Sequence, residues 1–396
     1  MIIGIDASRA FLKKRTGIEE YSYQVIKHLR TELTGRTVFL YVRKKISWQS
    51  GRFIWVIPPI DFDLPLNWQL KALWAPRFWT QLRLSLEMLL SPPDVLFVPA
   101  HTVPFIHPAR TIVTIHGLEY EFCPEAYSWY ERWYMRISIR CSCRWAQTVV
   151  CVSENTKRDV MKQYLVPEEK IRVVFEGYDQ KNPHPASRIQ NRVLPYLFFI
   201  GRLEERKNIL RIIEAFEILK QTYRIPHELV LVGKPGYGYE KIRSKIHNLQ
   251  SNIPIYELGY VNEEEKWLLL RGADVFVFPT LYEGFGIPIL EAQAAGTPVV
   301  TSNVSSMPEV GGDGAVYVNP ESAESIAEGV WQVLSDPDLK NGIIEKATQN
   351  LSRFGWASCA QRMRGIVIGS CPPASLLGSV ADGAGLGRFH TGDPPQ

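Results

Sequence analysis

Short runs of β-branched and aromatic residues alternate along the chain with longer stretches in which apolar positions recur every three or four residues. Ile2 to Ile5, Thr37 to Val42, Val95 to Val98, Thr111 to Ile115 and Thr148 to Val152 are apolar at nearly every position, the pattern of strands covered on both faces. Ile18 to Leu29, by contrast, places apolar or aromatic residues at 18, 21, 25, 26 and 29, which is one face of a helix. Strand, helix and strand in repetition predict a parallel sheet wrapped by helices, an α/β fold.

From Glu176 to Val193 the pattern breaks into polar text with Asn182-Pro183-His184-Pro185, which reads as a linker, and a second α/β series follows. Tyr196 to Ile200 is a strand, and Ile209 to Tyr223 a helix with apolar residues at 209, 212, 213, 216 and 219. Glu228 to Val232, Asp274 to Pro279 and Val299-Val300 are further strands. The expectation is two Rossmann-like doubly wound domains, 1–185 and 186–352, facing across a cleft between their strand carboxyl ends, where such sheets bind ligands. Residues 353–368 are a candidate crossover helix, and 369–396, rich in Gly, Pro, Ala and Ser without periodicity, read as a disordered or aberrant tail.

A chain of 396 residues, 45% hydrophobic and 22% charged, excludes both a disordered protein and one small binding module. No apolar run approaches the roughly 20 residues of a bilayer-spanning helix. Met1-Ile2-Ile3-Gly4-Ile5-Asp6 also lacks a secretion signal's basic start, so a cytoplasmic location is expected. The six cysteines have no metal-binding or disulfide spacing and read as reduced thiols.

The net charge of +4 is a cancellation. Residues 1–190 hold 26 Lys and Arg against 18 Asp and Glu, and residues 191–396 hold 19 against 23. Eight of the eleven tryptophans lie in the basic half, several between Trp48 and Trp79 among Arg52, Lys71, Arg77 and Arg83. Basic residues interleaved with Trp suit peripheral contact with an anionic membrane, with a solvated face over ordinary aromatic core as the plainer alternative. Nucleic acid is not expected, since no recognised motif accompanies the dispersed charge.

The most informative segment is Pro279-Thr280-Leu281-Tyr282-Glu283-Gly284-Phe285-Gly286-Ile287-Pro288-Ile289-Leu290-Glu291. A strand ends at Pro279, Gly284 and Gly286 let backbone approach a ligand, and Pro288 suits the first turn of a helix. Loop N–H groups could hold a diphosphate, flanked by Glu283 and by Glu291 in the helix's first turn. Carboxylates favour hydroxyls over phosphates, so a nucleotide-linked sugar fits better than a free phosphate. Gly201-Arg202-Leu203-Glu204-Glu205-Arg206-Lys207-Asn208 follows the strand at 196–200 and puts Arg202 and Lys207 where they could neutralise that diphosphate. Arg206 adjoins Lys207, and spacing does not decide which of the two points inward.

These segments together resemble the retaining glycosyltransferase family 4, whose members have the two-domain GT-B fold. The resemblance covers about residues 1–366 and includes Gly4-Ile5-Asp6 with Thr16-Gly17-Ile18, Thr114-Ile115-His116, Val152-Ser153-Glu154-Asn155 and Ala294-Ala295-Gly296-Thr297-Pro298. It implies that Glu283 contacts the donor sugar and Glu291 the ribose, that Arg202 and Lys207 hold the diphosphate, and that Tyr260 and Val261 lie near the base. His116 would lie near the sugar, and the Gly17 loop would close over the diphosphate; Gly201, Gly284, Phe285 and Gly286 complete the donor site. By the same resemblance no metal or other cofactor is bound, the nucleotide-diphosphate sugar is a co-substrate, and the departing phosphate takes the acceptor's proton on a front-face route.

The chain departs from the family pattern at Gly117, where relatives carry an acid, and at Glu176-Gly177-Tyr178-Asp179, where Asn-Gly-Val-Asp is common. The expected activity is hexosyl transfer to a glycan or lipid-linked acceptor in surface polysaccharide synthesis. The Thr16-Gly17-Ile18-Glu19-Glu20-Tyr21 region resembles O-antigen mannosyltransferases and makes GDP-mannose the first donor to test. Two alternatives stay open: a GT-B-fold sugar-nucleotide epimerase and a catalytically inactive sugar-nucleotide-binding protein. A dehydrogenase is disfavoured, because Gly236-Tyr237-Gly238 and Gly284-Phe285-Gly286 both lack the third glycine of the dinucleotide fingerprint.

Overall fold

The computed structural model describes residues 1–12, 15, 17–49, 52–75, 78–179, 195–249 and 253–369; the core of the linker expected at 182–185 and the tail from 370 onward lie outside them. The first domain holds β1 (Ile2–Asp6), β2 (Thr37–Gln49), β3 (Arg52–Val56), β4 (Trp68–Trp74), β5 (Val95–Val98), β6 (Thr111–Ile115), β7 (Thr148–Cys151) and β8 (Ile171–Val173). They form one sheet in the order β3-β2-β1-β5-β6-β7-β8, with β4 also paired to β2. All pairings are parallel except β2 with β3, which use the distal half of the long β2. Helices α1 (Gly17–Glu32), α2 (Ser85–Leu90), α3 (Glu119–Phe122), α4 (Trp129–Trp145) and α5 (Glu154–Tyr164) accompany this sheet.

The second domain is a six-stranded parallel sheet of β9 (Tyr196–Ile200), β10 (Glu228–Val232), β11 (Ile255–Gly259), β12 (Val275–Phe278), β13 (Val299–Ser302) and β14 (Val316–Val318). Its order, β11-β10-β9-β12-β13-β14, reverses between β9 and β12, which makes their carboxyl ends the switch point where doubly wound sheets take ligands. Helices α6 (Ile209–Gln221), α7 (Tyr239–Leu249), α8 (Glu263–Gly272), α9 (Ile287–Ala294), α10 (Met307–Gly311), α11 (Ala323–Ser335) and α12 (Pro337–Leu351) belong to it. The last helix, α13 (Trp356–Ile368), returns to the first domain and packs on α1, with the Trp356 and Tyr21 rings 6.2 Å apart. Gly177 lies so close beneath this crossing that a Cβ there would fall 2.3 Å from the Trp356 nitrogen.

The strand centres are completely buried, Phe97 and Val98 in the first sheet and Phe198, Phe276 and Phe278 in the second. Trp68 and Trp79 are also core residues, so they cannot belong to a membrane-facing surface between 48 and 79. That surface shrinks to the exposed, edge-to-face pair Trp55 and Trp74, with Lys71 drawn over the Phe39 ring. The side chains of Trp48 and Arg52, and residue Arg77, lie outside the described residues. No helix among the described residues is long and apolar enough to cross a membrane.

Candidate functional site

The loop after β12 and the loop after β9 meet at the switch point, and a short network explains how. A single 3₁₀ turn, Glu205–Lys207, ends at Asn208 in the left-handed region (φ 64°), where Asn is better tolerated than most residues. The Asn208 amide donates to the Pro279 carbonyl at 2.9 Å and to the Pro320 carbonyl at 2.6 Å, which fastens this loop to the end of β12. The turn thereby delivers two consecutive cations to one carboxylate. Arg206 Nη1 donates to Glu283 Oε1 at 3.1 Å, and Lys207 Nζ donates to the same oxygen. Thr280 Oγ1 also donates to it at 3.1 Å.

Both inward cations are largely covered, with side-chain exposures of 13% for Arg206 and 12% for Lys207. Arg202 is 64% exposed, its Nε 3.6 Å from Glu204 Oε2. Glu204 Oε1 accepts from Arg206 Nη2 at 2.8 Å and Glu119 is a third acid acting on Arg206, so what is unbalanced is the pairing at Glu283 itself, one carboxylate shared by two cations. Burial raises the Glu283 carboxyl, but Lys207 and Arg206 outweigh it and hold the group below the usual carboxylate range. Lys207 is pushed down by burial and by its neighbour Arg206, against the pull of Glu283.

Glu291 sits in the second turn of α9, one turn later than its sequence context suggests. Lys266 of α8 donates to Glu291 Oε1 at 2.7 Å and lies 2.9 Å from Glu263 Oε2. Here the stoichiometry is inverted, one cation between two carboxylates. Burial raises the Glu291 carboxyl beyond what Lys266 offsets, and Lys266 is raised by its two acids despite its own burial.

The glycines earn their positions by contact. A Cβ on Gly284 would meet the His116 carbonyl oxygen at 1.4 Å, and one on Gly233 would meet the Gly201 oxygen at 1.6 Å. Gly286 has φ 121° at the start of α9, while Gly17, at the start of α1, has nothing within reach of a Cβ. Phe285 is buried between Phe175 and Phe354, so only its backbone can face a donor. Tyr260 is exposed, under the Lys234 ammonium at 4.9 Å, and Val261 is half-buried beside it. The anion-nest reading of the 283–286 loop needs amending at its first amide. The Glu283 N–H donates to Ser305 Oγ at 3.1 Å, with Ser305 itself at φ 59°.

His116 projects from the end of β6 and uses both ring nitrogens within the protein. Its Nε2 is 2.8 Å from the Pro99 carbonyl, an acceptor, so Nε2 carries the hydrogen; Nδ1 faces Glu176 Oε1 at 3.1 Å. Glu176, the family departure, is therefore the buried partner of His116. Tyr21 packs edge-on to the same ring at 4.5 Å and His101 at 5.3 Å. Burial holds His101 well below the ordinary imidazole range, with His116 and Arg9 adding to the effect, and its Nδ1 has no hydrogen-bond partner among the described residues.

The second domain closes on the first through the loop that carries Glu283. The Gly284 carbonyl accepts from Ser153 Oγ at 2.7 Å and Thr156 Oγ1 at 3.1 Å. The Tyr282 hydroxyl donates to Asp159 Oδ2 at 2.7 Å, and its ring stacks on Phe122 at 4.5 Å. Glu309 accepts from the first amides of α5 at 2.7 and 3.2 Å, a carboxylate at a helix's positive end. On the first-domain side, a cavity of about 590 Å³ opens behind the loop after β1, lined by Arg9, Phe11, Glu19, Trp79 and Tyr134 among others.

Comparison with known proteins agrees with this architecture. Residues 183–350 match the family model for glycosyl transferases group 1, and residues 15–182 match that for glycosyltransferase family 4. O-antigen chain mannosyltransferase B of Escherichia coli is 29% identical over 63% of this chain and 68% of its own. O-antigen chain mannosyltransferase RfbU of Salmonella typhimurium is 25% identical over 86% of this chain and 91% of its own. HepE of Anabaena, solved with UDP-glucose, superposes with a TM-score of 0.68 at 15% identity, covering 93% of this chain and 99% of that one. With the two family models spanning residues 15–350 between them, and with two Rossmann-like domains closed across a cleft, the chain belongs to the family 4 glycosyltransferases of GT-B fold.

Proposed function

We propose that this glycosyltransferase moves a hexose, with mannose the first candidate, from a nucleoside-diphosphate sugar to a glycan or lipid-linked acceptor in surface polysaccharide synthesis, with retention at the anomeric carbon. The observation that carries this reading is the Glu283 carboxylate held between Arg206 and Lys207 at the carboxyl ends of the switch-point strands. When a diphosphate arrives, the two cations gain a doubly charged partner and Glu283 is released to accept from sugar hydroxyls. Glu291, in surroundings with excess negative charge, is suited to the ribose hydroxyls.

In this reading the bond from the anomeric carbon to the diphosphate oxygen breaks while the acceptor oxygen attacks from the same face. The departing phosphate oxygen takes the acceptor's proton. Arg206 and Lys207 stabilise the charge that develops on the leaving group, which supplies from side chains what a metal ion would otherwise give, and the closed cleft supplies positioning. The cavity lined by Arg9 and Tyr134 is the candidate acceptor side. The names of the two O-antigen relatives support mannose as donor sugar.

The test is calorimetric titration with GDP-, UDP- and dTDP-sugars, followed by product analysis with the donor that binds. One donor should bind, and its sugar should pass to an added glycan acceptor with retained configuration. Absence of binding by every donor, or conversion of the nucleotide sugar without transfer, would overturn the reading.

A further inference from the structure

The outward face of α4 is built the wrong way round for a water-facing helix. Ser128 starts it with a capping box, its hydroxyl and the Glu131 carboxylate satisfying each other's backbone amides. The buried side is small and modest: Ile139, Ser142 and Cys143. The large apolar groups point outward instead. Trp129 is 81% exposed and Trp133 55%, with Tyr130, Tyr134 and Ile137 exposed around them. Helical periodicity puts Trp129, Trp133, Arg136, Arg140 and Arg144 along one outward line, tryptophans in the first half and arginines in the second. Four arginines stand on this helix against one acid, Glu131, which is tied into the cap.

We infer that this face of α4 docks on an anionic phospholipid surface. Trp and Tyr have apolar bodies and polar tips and settle at the boundary between headgroups and acyl chains, while Arg reaches lipid phosphates from a flexible apolar stem. Arg136 and Arg132 are partly committed to Glu121, whereas the exposed Arg140 and Arg144 carry the outer end of the row. Four arginines against one capped acid give this face the charge that an anionic surface recognises, and pairing with a second copy of this chain is an outcome that the test separates. Tyr134 belongs both to the docking face and to the wall of the 590 Å³ cavity, which the exposed Phe78 also lines. Docking therefore brings the mouth of the candidate acceptor cavity to the lipid surface. The membrane contact does not depend on the donor or the acceptor and is tested without either.

The experiment is co-sedimentation of the full chain with two kinds of vesicle, phosphatidylcholine alone and phosphatidylcholine with about a third phosphatidylglycerol. Wild type should partition onto the anionic vesicles and come off as salt is raised. Arg140→Glu with Arg144→Glu should lower that partitioning by about tenfold or more, at roughly 1 kcal/mol per basic residue near the surface. Trp129→Ser with Trp133→Ser should lower it comparably and leave the thermal midpoint unchanged, because these rings are outside the core. Leu165→Ser with Lys346→Glu, exposed substitutions elsewhere, should change nothing. Equal partitioning onto both vesicle types, or unchanged partitioning of both α4 variants, overturns the inference. So does a dimer in sedimentation equilibrium that the α4 substitutions dissolve.

Discussion

Two charge clusters flank the proposed path of the donor, and they are near mirror images. Around Glu283 a carboxylate lies between two cations; around Lys266 a cation lies between two carboxylates. Each is built from ordinary ion pairs at 2.7 to 3.1 Å or shorter. What differs is the direct pairing, two cations on one carboxylate at the first and two carboxylates on one cation at the second, and the carboxyl groups answer accordingly. Glu283 is held below the usual range and Glu291 is raised above it. A buried ion pair is weak evidence for stability, because desolvation of both partners offsets most of their attraction. An unbalanced pair is better evidence for a site, since the excess charge is satisfied only when a ligand of opposite or hydrogen-bonding character arrives.

The largest effect should come from removing a cation at the positive cluster. Lys207→Ala is expected to lower kcat/KM for transfer by about 10²–10³-fold, the range seen when a group stabilising developing charge is removed. It also leaves Glu283 buried with less compensation, so the thermal midpoint should fall. Wild-type turnover in Lys207→Ala would break the comparison at once. Arg206→Ala should come next and exceed Arg202→Ala, which we expect to cost no more than about tenfold, because Arg202 stands mostly in water where its charge is screened. Equal losses for the two arginines would show that exposure in the donor-free protein is a poor guide to the bound state.

A smaller effect separates the two clusters by sign. A carboxyl with a depressed folded pKa adds stability above its unfolded value near 4.3 and loses it as pH falls through the folded value; a raised one does the reverse. Glu283→Gln should therefore lower the thermal midpoint at pH 7, with the difference closing as pH falls below about 4. Glu291→Gln should be neutral or raise it at pH 7, because Glu263 still holds Lys266, and its difference should also close in acid. Shifts of roughly 2–4 °C per kcal/mol are readable by calorimetry in a domain of this size. Shifts of the same sign would contradict the inverted stoichiometry.

The parts of the fold legible in the sequence are those whose physics is local. Strands covered on both faces, such as Val95–Val98 and Val275–Phe278, announce themselves as unbroken apolar runs. β8, β11 and β14 do not, because each ends its sheet; β11 exposes Tyr256 and Glu257, and its polar text looks like loop. The strand, loop and helix at 279–291 were legible, since an apolar run, two glycines and a helix-starting proline lie in order there. The orientation of Arg206 was not, because it depends on one 3₁₀ turn and the left-handed Asn208. Lys266 is 25 residues from Glu291, and Glu176 is 60 from His116. No pattern along the chain signals such pairs, which exist only because neighbouring elements bring them together. The tryptophans teach the same lesson: Trp79 and Trp129 look alike in composition, yet one fills the core and the other faces out.

The central claim is that the positive cluster holds the diphosphate and the negative one the ribose. Calorimetric titration of wild type, Lys207→Ala and Glu291→Ala with the preferred nucleoside diphosphate and the matching monophosphate tests it directly. Lys207→Ala should shrink the wild-type preference for diphosphate over monophosphate, whereas Glu291→Ala should weaken both ligands by the same factor and leave that preference intact. A Lys207→Ala variant that keeps the full preference, or a Glu291→Ala variant that loses it, would contradict the account.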